Sequence, residues 1–138
     1  MKRIDEQTLE ELEGERWGPP ELETSLVLTC HRLRRVPLKQ FEPRDLRIMI
    51  GQGIGLPYLV PKALTLLEGD PFLEAELYTG DLLMFVFMVD DAFWQTMPDL
   101  RRRAVAILDA ALERGGALDA FDRDNLWPRL LSARARFA

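Results

Sequence analysis

Apolar positions in this chain recur at helical spacing. The series Leu56, Leu59, Val60, Ala63, Leu64 and Leu67 falls at i, i+3, i+4, i+7, i+8 and i+11, one continuous stripe on a helix that Gly69 ends. A second stripe, Leu100, Ala104, Ile107, Leu108 and Ala111, predicts an amphipathic helix from Asp99 to Arg114, opened by Pro98 and closed by Gly115-Gly116. Thr8 with Glu11 three residues on predicts a capping box ahead of Leu9 to Glu13, with Gly14 as the stop. Ser25 opens a helix from Leu26 to Arg35 whose Leu26, Thr29, Cys30 and Leu33 share a face, and Pro43 stands at the start of Asp45 to Ile50. LLMFVFMV, Leu82 to Val89, is apolar all round and predicts a central buried helix. Asp90 caps a further helix from Asp91 to about Met97, and a last one, from about Asn125 to Arg136, packs Leu126, Leu130 and Leu131, with fraying expected beyond Ala133.

No window alternates apolar and polar residues as a half-buried strand does, and no internal repeat is present. The predicted fold class is all-α: a single compact domain over residues 1–138, with about six to eight helices, several short, joined by Gly/Pro turns. Its core is expected to include Cys30, Leu33, Ile48, Leu59, Ala63, Leu64, Leu67, Leu83, Phe85, Val86, Ile107 and Leu108.

Composition narrows the chemistry. The longest unbroken apolar run is far short of the ~20 residues a membrane-spanning helix needs. One Cys and one His leave no ligands for Cys/His zinc sites, so no metal and no cofactor are expected. The N-terminus turns acidic where a signal peptide needs an apolar core, and Cys30 has no partner for an internal disulfide, so the expected compartment is the cytoplasm.

Three constellations bear on catalysis. Ile48-Met-Ile-Gly51-Gln-Gly53-Ile-Gly55 resembles the start of a dinucleotide fingerprint, but the third glycine of G-x-G-x-x-G would fall at position 56, which is Leu56. A tight helix-to-helix turn explains the glycines as well, and a small nucleotide-binding protein or enzyme using Gly51–Gly55 stands as the alternative function. Cys30 and His31 are neighbours, so on a helix they point about 100° apart and cannot pair with each other. Asp81, Asp90 and Asp91 could act as acids or bases, yet as helix caps they need no chemistry, and nothing else forms an oriented set. No enzymatic activity is expected.

Charge is arranged in blocks. Residues 1–23 carry three basic and eight acidic side chains, and His31–Arg47 carries six basic and two acidic. From Ala63 to Leu100 there is no Lys or Arg against eight acids, and from Arg101 onward eight basic residues face five acidic ones. The 63–100 segment is therefore a candidate for contact with a basic partner, or else a face neutralised by the chain's own basic blocks.

The segments TLEELEGERWGPP (Thr8 to Pro20), SLVLTCHRLRRVPLKQF (Ser25 to Phe41), DLRIMIGQGIGLPYLVPKAL (Asp45 to Leu64) and YTGDLL (Tyr78 to Leu83), in that order, resemble the immunity proteins of bacterial contact-dependent growth inhibition systems. The resemblance covers about residues 8–100, leaving 101–138 as a helical C-terminal extension. It implies a protein that binds the toxic C-terminal domain of a delivered effector in the cytoplasm, with no catalytic residues and no direct contact with nucleic acid or membrane. Such toxins are often nucleases with basic clefts, which an acidic inhibitor would occlude. The expected toxin contacts are Glu74, Glu76, Asp90 and Asp91 as charges with Phe93 and Trp94 as apolar anchors. The alternative is that Trp94 is core and the interface lies at Trp17, Arg32 and Arg35.

Overall fold

The computed structural model describes residues 2–137, and among these it contains eight α-helices and no strand. In chain order they are α1 (Leu9–Glu13), α2 (Ser25–Leu33), α3 (Pro43–Gly51), α4 (Leu56–Gly69), α5 (Asp81–Phe87), α6 (Asp91–Thr96), α7 (Pro98–Glu113) and α8 (Ala120–Arg136). Short 3₁₀ turns lie at Ile4–Glu6, Leu38–Gln40 and Gly115–Ala117.

The short α5 is the hub, packed against α3, α4 and α8, while α7 lies across α4 and α8 and carries α6. Leu82, Leu83, Met84, Val86 and Phe87 are all buried, as a helix apolar on every side requires. The α4 stripe from Leu59 to Leu67 is fully buried, as are Ala104, Ile107, Leu108 and Ala111 of α7. Arg103 on α7 donates to Glu68 on α4 from Nε at 3.1 Å and one Nη at 2.7 Å, and holds that carboxyl below the usual carboxylate range.

Local chemistry accounts for the element ends. The Thr8–Glu11 capping box forms in full, with Gly14 in the left-handed region at φ 66°. Gly55 caps α4 at φ 65°, and a Cβ there would lie 2.8 Å from Leu9, so the glycine turn between α3 and α4 is a conformational and packing requirement. It follows a helix, not the strand a dinucleotide fingerprint needs. Gly80 caps α5 at φ 82°, where a Cβ would meet Leu126 of α8 at 2.9 Å.

Several expectations are corrected. Thr24, not Ser25, caps α2, and the helix stops at Leu33, two residues before the expected end at Arg35. Leu26 lies exposed, so only Cys30 and Leu33 seat α2 on the body. Ile48 and Phe85 are half-buried beside a groove instead of closing the core. α8 begins at Ala120, where the Asp119 carboxylate accepts the Asp122 N–H, and continues through Pro128. Its Leu131 is exposed, while Leu126 and Leu130 are buried. Where fraying was expected beyond Ala133, α8 continues to Arg136: Phe137 is buried edge-on against Phe87 and Trp94, and Arg136 donates to the carbonyls of Phe87 and Val89.

Candidate functional site

The acidic candidates do not converge on one patch. Glu74 and Glu76 lie in the loop before α5, whereas Asp90 and Asp91 follow its far end, seven helical residues or about 10 Å away. Asp81, expected as a helix cap, is instead the first residue of α5 behind the Gly80 cap, and it clamps the preceding loop. Its carboxylate accepts the N–H groups of Ala75 (2.7 Å), Glu76 (3.1 Å) and Leu77 (2.8 Å) and is fully buried.

Much of the acidic charge is met from within. Glu76 accepts from Arg47 at 3.1 Å, and Asp91 accepts from the Arg136 Nε at 2.8 Å. Asp90 caps α6 through the Ala92 N–H. Glu74 is exposed, and Phe93 is half-buried. Trp94, expected as an anchor, is 2% exposed, with Phe87, Phe93 and Phe137 around its ring, so it is core and not presented to a partner.

The other candidate set does come together. Trp17, Arg32 and Arg35 line one groove beside α2, a cavity of about 670 Å³. Its back wall is built on Arg34, a residue whose charge reads as surface in the sequence but which is 2% exposed. Arg34 pairs with Glu13, donates to the Glu15 carbonyl at 2.7 Å and lies 4.5 Å over the Trp17 ring. The His31 ring meets Trp17 edge-on at 4.9 Å, and Arg35 pairs with Glu10 at 3.1 Å.

On the opposite side of α2 a second cavity of about 650 Å³ runs between α2 and α3, sharing Arg32 with the first. It brings in Arg44 and Arg47, which the charge pattern did not single out. Exposed Leu26 lines this second cavity and exposed Leu28 the first, and Leu22 is exposed in the chain ahead of α2. A third groove, between α5 and α8, is more apolar and includes the exposed Met88, with Arg136 tied across its end.

Burial pushes the Cys30 thiol up from its ordinary range, which suppresses the nucleophilic thiolate. His31 packs on Trp17, and Asp81 is committed to backbone N–H groups. Among the described residues no group of three or more His, Cys, Asp or Glu side chains could hold a metal ion, and no helix is long and apolar enough to cross a membrane. What the surfaces offer is guanidinium groups and exposed leucines at helix edges, the chemistry of protein recognition.

One protein-family model, described as CDI immunity proteins, matches residues 11–104, from within α1 to the middle of α7. No curated protein and no solved structure matches the chain significantly.

Proposed function

The chain belongs to the CDI immunity proteins, and on that premise we propose that it binds and neutralises the toxin domain of its own contact-dependent growth inhibition system, in the cytoplasm, by forming a stoichiometric complex and without catalysis. The match over residues 11–104 carries this reading. A fold whose only thiol is buried and whose only imidazole packs on a tryptophan supports the non-catalytic part.

The favoured binding surface is the α2 face. Trp17, Arg32 and Arg35 share a groove with exposed Leu28, and exposed Leu26 lines the groove on the other side of the helix, so charge, aromatic surface and uncovered apolar area flank α2. A second reading has the toxin present a basic active-site surface, such as a nuclease cleft, to Glu74, Asp90 and Asp91. Its support is the exposure of all three carboxylate residues and the net charge of −5.

Co-expression with the C-terminal toxin domain encoded immediately upstream tests the function. Restored growth together with a 1:1 complex in purification is the expected outcome, and growth arrest with no complex overturns it.

A further inference from the structure

The groove between α2 and α3 carries three guanidinium groups, which can only donate hydrogen bonds, and two of them lack a hydrogen-bonded acceptor among the described residues. Arg32, on α2, makes no hydrogen bond or ion pair among the described residues, and Arg44, on α3, stands 4.0 Å from Glu76, beyond hydrogen-bond reach. Arg47 gives one Nη to Glu76, while its buried Nε has no acceptor and lies 4.0 Å from Asp81. The Ser25 and Thr29 hydroxyls and the Gln52 amide also line the groove, and none has a hydrogen-bond partner among the described residues.

Each carboxylate nearby already holds a partner. Glu76 is taken by Arg47, the Asp45 carboxylate accepts the Glu42 N–H at 2.9 Å, and Asp81 holds three loop amides. Water satisfies the exposed donors while the groove is open. A partner that covers them has to bring acceptors of its own, because a donor buried without one costs the full desolvation of that group. Guanidinium groups pair best with carboxylates, two bonds at a time.

The groove is also partly apolar, with Leu26 at its rim and half-buried Ile48 and Phe85 in its walls. A small anion would leave that apolar surface uncovered, whereas a protein segment would cover it together with the donors. On the Trp17 side of α2, Arg34 pairs with Glu13 and the Glu15 carbonyl and keeps only its Nε unpaired beneath Trp17, and Arg35 pairs with Glu10, so apart from the shared Arg32 no exposed guanidinium there lacks a partner.

We propose that the α2–α3 groove seats an acidic segment of the toxin domain, whose Asp or Glu carboxylate enters between Arg32 and Arg44 while an apolar neighbour packs on Leu26 and Ile48. This rests on the immunity reading and identifies which side of α2 carries the contact, and with what partner chemistry. Arg44 lines only this groove and Arg35 only the Trp17 groove, so single charge reversals separate the two. Both are exposed, which keeps the fold out of the comparison; matching melting curves for the free variants verify that.

The probe is the toxin domain recovered from its complex, titrated calorimetrically at low and high salt. Arg32→Glu and Arg44→Glu each weaken binding roughly tenfold to a hundredfold, and the loss survives high salt because the contact is direct. Arg35→Glu changes affinity by no more than about threefold. Wild-type affinity in Arg44→Glu, or a larger loss in Arg35→Glu than in Arg44→Glu, overturns the assignment while leaving the immunity function intact. If the wild-type chain does not bind the toxin domain at all, the function itself fails and the groove assignment with it.

Discussion

Removing the Asp81 carboxylate should release the loop before α5. Its two oxygens accept three backbone N–H groups, from Ala75, Glu76 and Leu77, at 2.7–3.1 Å. A hydrogen bond to a charged group contributes roughly 1.5–3 kcal/mol. Glu76 and Leu77 are exposed residues, so water can replace part of what their amides lose and the three contributions do not sum in full. Asp81→Ala should therefore cost about 3 kcal/mol. In Asp81→Asn the amide oxygen keeps one side of the clamp while its NH₂ faces a donor on the other, for about 2 kcal/mol. With an unfolding entropy of about 2.1 cal/mol/K per residue, a 138-residue chain loses about 10 °C and 7 °C in Tm, read by circular dichroism. The Asn variant conserves volume, so it separates the hydrogen bonds from a cavity effect. Melting of both variants within about 2 °C of wild type would refute the clamp.

Other consequences follow from the same packing. Leu64→Ala, in the middle of the fully buried α4 stripe, should cost about 2–5 kcal/mol and lower Tm accordingly; a shift under 2 °C in calorimetry would mean the stripe is not core. Ending the chain at Ala133 removes the Arg136 bonds to the Phe87 and Val89 carbonyls and the Phe137 ring from beside Trp94, and should cost about 3–5 kcal/mol in urea unfolding, where an unchanged midpoint would contradict the latch. Cys30, buried and with its thiol pushed up, should react with Ellman's reagent near neutral pH only as fast as the chain opens, and complete labelling of the folded protein within seconds would contradict its burial.

The parts of this fold that sequence reveals are those where one local rule acts alone. Thr8 with Glu11, Pro43, Pro98 and the Leu59–Leu67 stripe each specify an element without reference to distant residues, and each lies where its pattern puts it. The misplacements come from long-range partners. Arg34 is buried because Glu13, the Glu15 carbonyl and Trp17 surround it, and no spacing announces that. Asp81 looks like a cap because it follows a glycine, but its partners are loop amides four to six residues earlier. α8 starts earlier than expected because the Asp119 cap lies ahead of a first turn that carries no apolar stripe. The surface was least legible. Net charge by block identified an acidic segment, yet Arg47, Arg103 and Arg136 fold back onto Glu76, Glu68 and Asp91, whereas the basic residues around α2 keep unmet donors.

Hydrogen–deuterium exchange of the chain, free and bound to its toxin domain, tests most directly whether toxin neutralisation runs through the α2 face. Complex formation should slow exchange in residues 24–35 and 43–52, two walls of the α2–α3 groove, while residues 90–94, beyond the far end of α5, exchange as in the free protein. Protection confined to 74–77 and 90–94, with α2 unchanged, would contradict the α2 interface and move the toxin to the acidic residues beside α5.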